Sequence, residues 1–334
     1  MLTIALAGDV MLGRGVNQAL SYMKPEEPWG DTLGLLAAAD IRIINLECAL
    51  SSHRRPWSRS YKVFHFRADP EAVRVLQAAR IDLCSLANNH TLDFEEQGLL
   101  DTIHHLDAAG IRHAGAGRDL KEAAQPAIVE AGQGVLSKVA LVAFTDNEPE
   151  FAAGSARPGT NYLPVALDSG TLSRAGAAIA AAREKGADVV VFSNHWGPNM
   201  VQRPPKEFRE FARAVLDLGA DIYYGQSAHV FQGIEIYRGR PILYDTGDFI
   251  DDYAVDPQMR NDWSFLFRIT LNDRSLKLIE LFPVMLGYAR VDLARDERWE
   301  MIAARMERLC AEMGTVLVRG KDRLIYESPR QESA

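Results

Sequence analysis

Five short apolar runs in this chain each lead into a side chain able to ligate a cation or move a proton. Thr3-Ile4-Ala5-Leu6-Ala7-Gly8 ends at Asp9, and Ile41-Arg42-Ile43-Ile44-Asn45-Leu46 ends at Glu47. Residues 81–87 run into Asn88-Asn89-His90, with Asp93 three positions further on. Residues 188–194 end at His195, and residues 221–225 run into Gln226 and then His229. In an open α/β sheet, ligands collect beyond the carboxyl ends of the strands. If these runs are neighbouring strands, carboxylates, imidazoles and carboxamides far apart in sequence meet at one edge. That donor set suits a dimetal hydrolytic centre.

Each residue also has a plainer use. Asp9 before a turn can cap a helix, and Asn88-Asn89 suits a tight loop. Glu47 is different: a carboxylate among apolar neighbours is costly unless it is paired or metal-bound, so bridging two cations is its natural role. Asn89 reads as a neutral oxygen ligand, His90 as an acid, and Asp93 as the group that orients its imidazole. Arg14 is a surface cation taken alone, and a donor to a substrate oxyanion if it faces the site. Asp248, in the acidic run 245–252, is expected to contact substrate or support the ligands, and Asn88 and Trp196 are expected on the substrate side.

Elements able to position these groups are legible. Helices are expected near 31–39, 69–79, 95–109, 168–185, 205–218 and 295–313. Strands are expected near 3–8, 41–46, 81–87, 138–144, 187–194, 220–224, 233–237, 241–245, 264–271 and 276–284, with a β segment near 315–327. Strands alternating with helices imply βαβ units and parallel pairing. From Gly233 onward two hairpins are expected, the first turning at Gly239. Segments 51–60 and 147–164 read as long loops. Residues 1–290 are expected to form one domain, with 291–334 a helix and short β extension packed on it.

Bulk properties exclude some functions. The net charge of −8, from 37 basic and 45 acidic residues, argues against nucleic acid as the main partner. Three widely spaced cysteines form no disulfide framework, no secretion signal is evident, and no run is long enough to span a membrane, so a cytoplasmic enzyme is expected. There is no P-loop, no HExxH, no GxSxG and no complete dinucleotide fingerprint.

The segments GDVMLGR (8–14), NLE (45–47), ANNHTLDFEEQGLLDT (87–102), GIRHAGAGRDLKEA (110–123), NHWGPN (194–199) and GQSAHVFQGIEIYRGRPILYDTGDFIDDY (225–253) resemble the CapA family. That family of capsule or poly-γ-glutamate synthesis proteins is related to calcineurin-like metallophosphatases. The resemblance covers most of the chain, to about residue 270. It implies an α/β fold, a four-layer α/β/β/α sandwich with mixed sheets and a dimetal cleft. One or two divalent ions (Mn, Fe or Zn) are implied. Asp9, Glu47 and His229 would hold one, and Glu47, Asn89, His195 and Gln226 the other. His90 would protonate the leaving group after a metal-bound hydroxide attacks a phosphoester, or an amide of a glutamate-like compound. Met11 and Gln226 stand where metallophosphatases usually carry His, which weakens the second site. The expected partner is a small anionic substrate or a polyglutamate-like polymer. The alternative is an accessory protein that binds such a polymer without cleaving it.

Overall fold

The computed structural model describes residues 1–131 and 137–329. Two mixed sheets lie face to face, and the side-chain alternation of their strands shows why. Leu2, Ile4 and Leu6 point inward with Ile41 and Ile43, meeting Val139, Leu141, Val189 and Val191 of the opposite sheet. Their neighbours Ala5, Ile44 and Cys84 point outward, against Val75, Leu76, Leu99, Ile103 and Leu106 of the helical layer. On the other side Val142, Phe144, Val190 and Phe192 pack on Ala175, Ile179, Phe211 and Val215. A strand buried on both faces needs apolar residues at both parities, as these runs have. The four-layer α/β/β/α arrangement expected from the sequence is the one observed.

In the first sheet the strands Leu2–Val10, Ile41–Leu46, Leu83–Ser85 and Arg112–Ala114 are successive parallel neighbours. In the second, Ser137–Thr145, Val189–His195, Ile222–Gln226 and Arg240–Leu243 are parallel neighbours too. Their carboxyl ends carry Asp9, Glu47, His195 and Gln226. The helices that cover them bury one stripe each. Helix Glu95–Ala108 buries Leu99, Thr102, Ile103 and Leu106, the spacing of one helical face. Helix Ser169–Glu184 is capped by Asp168, whose carboxylate accepts from the amides of Gly170 and Thr171.

The two expected hairpins are present: Ile234–Tyr237 with Arg240–Leu243, and Trp263–Asn272 with Ser275–Gly287. Gly239 turns the first at φ 75°. The strand Leu324–Glu327 pairs with Ser275–Gly287, and helix Asp296–Glu312 buries Ile302, Met306 and Leu309 in the inter-sheet core. Residues 330–334 of the expected extension lie outside the described residues. The helix expected at 31–39 is shorter, Leu33–Ala37, and follows a 3-10 turn, Glu27–Thr32, kinked at Gly30. Among the described residues, no helix is long and apolar enough to cross a membrane.

One irregularity decides where the site forms. Leu6 pairs with Ile43, but the next pairing is Asp9 with Asn45, so three steps on one strand match two on the other. Such a bulge reverses side-chain parity. Without it Asp9 would face the helices; with it Asp9 faces the same side as Asn45. Gly8 permits the bulge, since a Cβ there would lie 1.9 Å from the carbonyl oxygen of Gly247. The hydroxyl of Tyr224, from the opposite sheet, donates to the Ala7 carbonyl.

Candidate metal centre

Asp9, Glu47, His229 and Asp248 converge, with one ligand atom from each lying within 4.8 Å of the others. Four local features achieve this. The bulge turns Asp9 inward, and Glu47 continues the inward parity of Ile41, Ile43 and Asn45 one step beyond its strand. Asp248 opens the short strand Asp248–Ile250, which pairs in parallel with the first strand so that Asp9 and Asp248 are direct partners. His229 follows the strand Ile222–Gln226 on a loop that holds it at φ 58°, a conformation uncommon outside glycine.

Each carboxylate has one oxygen engaged. Asn45 Nδ2 donates to Asp9 Oδ1 at 2.8 Å. The Tyr253 hydroxyl donates to Glu47 Oε2 at 3.2 Å. His229 Nδ1 lies 2.8 Å from Asp248 Oδ1. The other oxygens, Asp9 Oδ2, Glu47 Oε1 and Asp248 Oδ2, are buried with no hydrogen-bond partner. An unpaired buried carboxylate oxygen is costly, and three of them share one small space. Burial, reinforced by Glu47 and Asp248, pushes Asp9 well above the usual carboxylate range. Burial likewise pushes Glu47 up to about 8, and raises Asp248. Burial acts to lower His229, but Asp248, Glu47 and Asp9 together outweigh it and hold the imidazole charged well above 6.5. One imidazole thus faces three carboxyl groups. The donor set of orphaned oxygens, and a histidine whose Nδ1 is fixed by a carboxylate, fits a divalent cation.

The second group of expected ligands is arranged differently. His195 Nε2 lies 3.8 Å from Glu47 Oε1. Its Nδ1 is 3.2 Å from Asn45 Nδ2, and Asn45 in turn accepts from Asn88 Nδ2 through its own oxygen. Asn45 thus holds the imidazole by Nδ1 and leaves Nε2 facing Glu47. Gln226 is adjacent, paired in register with His195, but its amide is occupied: Nε2 donates to the Tyr224 carbonyl at 2.9 Å, and Oε1 lies 3.3 Å from Ser193 Oγ. Asn89 contributes a buried Oδ1 with no partner. Met11 is buried, and its sulfur accepts from the Gly13 amide.

His90 stands beside the cluster, with Nε2 3.9 Å from Glu47 Oε1. Its Nδ1 is 2.5 Å from Asp93 Oδ2, and its ring stacks on Phe66 with centroids 3.8 Å apart. Burial pushes His90 down and Asp93 up to about 7. The pair therefore favours sharing one proton over carrying two charges. Lys62, itself buried, lies 3.4 Å from the other Asp93 oxygen, 3.1 Å from Glu148 and 2.7 Å from the Asn89 carbonyl.

Residues 3–253 match the family described as bacterial capsule synthesis protein PGA_cap. The chain belongs to this family. A probable polyglutamine synthesis accessory protein of Mycobacterium tuberculosis is 32% identical, over 98% of this chain and 96% of its own. The PGA biosynthesis protein CapA of Bacillus subtilis is 29% identical over 75% of this chain and 64% of its own. The capsule biosynthesis protein CapA of Bacillus anthracis is 27% identical over 85% and 67%. Among solved structures, that of a Thermus thermophilus protein matches 86% of this chain and 99% of its own at 13% identity and a TM-score of 0.43, too distant a likeness to add weight.

In this member of the capsule synthesis family, two residues expected at the substrate take other places. Trp196 is a core residue: it packs on Phe208 and Tyr223, and its indole nitrogen donates to the Tyr244 carbonyl. Strand alternation explains this, because His195 faces inward and its neighbour must face the helices. Asn88 is fully buried and donates to the Leu46 carbonyl while accepting from the His90 amide, so it shapes the loop rather than the cleft. Asp248, expected to contact substrate or support the ligands, holds His229 Nδ1 and stands in the cluster with it. Arg14 does face the cleft, half-exposed, with Asp252 at 3.4 Å and its guanidinium near the rings of Phe64, Phe66 and Tyr253. Asn45, Tyr253 and Lys62 are functional neighbours that the sequence reading misses. Asn45 leaves a trace in the sequence, as a polar residue at an inward position of an isoleucine-rich strand. Tyr253 and Lys62 leave none.

Proposed function

We propose that this protein is a metal-dependent hydrolase acting on an anionic substrate, by preference a phosphoester. The observation that carries this reading is the juxtaposition of three orphaned carboxylate oxygens with the His90–Asp93 pair. A divalent cation in the cluster, Mn, Fe or Zn by its ligand types, would polarise the bond under attack and acidify the attacking water. Asp9, Glu47 and Asp248 would provide the negative charge that holds it, and His229 the nitrogen. Tyr253 and Asn45 keep two of those carboxylates from rotating. Asp93 accepts from His90 Nδ1 and leaves Nε2 directed to the cleft, where it would take the proton that the attacking water loses and pass it to the departing oxygen. Lys62 holds the Asn89–His90 backbone and the far oxygen of Asp93. Arg14 takes a substrate anion outside the cluster. We further propose a single tightly held cation, because the amide of Gln226 is already engaged by Ser193 and Tyr224.

The second reading is the accessory one, a cleft that binds an anionic polymer without cleaving it. The occupied amide of Gln226 favours it, as does the word accessory in the mycobacterial relative's name. The three cysteines are buried and unpaired, which supports a reducing compartment such as the cytoplasm. Purified protein loaded with Mn²⁺ should hydrolyse generic phosphodiester or phosphomonoester substrates, with loss of turnover in Asp9→Asn and His90→Asn. Polymer binding with no turnover on either ester would favour the accessory reading.

A further inference from the structure

The segment 57–66 crosses the mouth of the cleft and is pinned along its length. Trp57 donates its amide to the Asp93 carbonyl at 2.8 Å and packs edge-on against Phe151. Lys62, in the middle, is held by Asp93, Glu148 and the Asn89 carbonyl. Phe66 donates its amide to Asp93 Oδ2 at 2.6 Å and stacks on His90. Between these anchors three apolar side chains stand in solvent: Tyr61 is 90% exposed, Val63 62% and Phe64 58%. All three line a cleft of about 540 Å³. A pinned segment that holds apolar side chains over a candidate active site calls for a ligand that covers them. The volume also greatly exceeds what one phosphate group needs, since a water molecule's share of liquid is about 30 Å³.

Tyr253 sets a second position in the cleft. Its hydroxyl is on Glu47, and its ring lies 5.7 Å from the Arg14 guanidinium carbon. Arg14 therefore shares a neighbour with the cation cluster, and among the described residues Asp252 is its carboxylate partner, at 3.4 Å. We infer that segment 57–66 is a specificity wall: Tyr61 and Phe64 cover the aliphatic spacer of a chain-like substrate whose second anionic group is taken by Arg14. The inference builds on the hydrolase reading by adding what the substrate carries away from the reacting bond, and it holds equally for a bound polymer that is not cleaved.

Calorimetric titration of the Mn²⁺-loaded full chain with two probes, a short γ-linked glutamate oligomer and inorganic phosphate, tests the wall. The doubly substituted Tyr61→Ser, Phe64→Ser protein should lower the ratio of oligomer to phosphate affinity about tenfold, given the apolar area the two rings offer. Arg14→Gln should weaken oligomer binding and flatten its salt dependence. Val318→Ser, an equally exposed apolar site that does not line the cleft, serves as control and should leave the ratio at the parent value. Both rim side chains are exposed, so their loss removes no core packing. Equal ratios in the parent and the double variant would overturn the wall, as would a parent protein that binds no oligomer. Absence of ester hydrolysis with the ratio change intact would sink the hydrolase reading and leave the wall standing.

Discussion

Two groups of candidate ligands face each other across Glu47, and they differ in what the protein has already done with them. Asp9, Glu47 and Asp248 each keep one oxygen buried and unpartnered. Gln226 has its amide engaged by Ser193 and Tyr224, and His195 has its Nδ1 held by Asn45. Residue identity alone would rank the two groups alike, since each supplies oxygens and a histidine. Their environments rank them apart: one group gathers three orphaned carboxylate oxygens, while in the other the orphan is Asn89 Oδ1, beside a Gln226 amide that is already engaged. The lesson is that a ligand is recognised by what remains unsatisfied around it as much as by its type.

The largest expected effect comes from breaking the unsatisfied group. Asp9→Asn or Asp248→Asn should abolish measurable Mn²⁺ binding, a loss greater than the roughly 10–100-fold typical of residues that only support a ligand. Metal content after dialysis checks this. Next is the proton donor. His90→Asn should reduce turnover roughly 10²–10⁴-fold while leaving bound Mn²⁺ at the parent level. Retained metal with lost turnover separates the two roles; loss of both would place His90 among the ligands.

The comparison is sharpened by making the second group resemble the first. Gln226→His removes the amide that Ser193 and Tyr224 hold and introduces an imidazole beside His195. The variant should bind a further Mn²⁺ that the parent binds weakly or not at all, read as a second step in a binding isotherm. An isotherm identical to the parent's would show that Gln226 is not what limits this site.

A smaller effect is expected in pH dependence. Burial raises Glu47 from 4.5 in the unfolded chain to about 8, and Asp9 and Asp248 move the same way. The folded metal-free protein then binds more protons than the unfolded chain, so its stability must fall as pH rises across that window. His229 adds to the trend, since its raised proton affinity is also lost with rising pH. Mn²⁺ displaces those protons, so the melting-temperature gain it brings should grow from about pH 5.5 to about pH 8. A gain independent of pH would mean the carboxylates are ionised before the cation arrives.

The sequence reveals the strands because their apolar runs are long and bounded. It reveals Asp9, Glu47, His229 and the His90–Asp93 pair because each stands where an apolar run stops or soon after. Other features depend on partners that a linear reading does not supply. The bulge that turns Asp9 inward arises from pairing between two strands, and Gly8 alone does not announce it. Asp248 reads as a supporting acid, and its place in the cluster emerges only when its strand is laid beside Asp9. Trp196 is misplaced when proximity in sequence to His195 is given more weight than strand alternation, which sends the two side chains to opposite faces. Lys62 emerges from an Arg- and Ser-rich loop whose path over the cleft is set by tertiary contacts.

The most direct test of the account is the stoichiometry of Mn²⁺ bound to the full chain, followed by calorimetry and by electron paramagnetic resonance of free Mn²⁺. The account predicts one tightly bound ion per chain, lost in Asp9→Asn and kept in Gln226→Ala. A parent protein that binds no Mn²⁺, or a Gln226→Ala protein that loses the tight ion while Asp9→Asn keeps it, would contradict it.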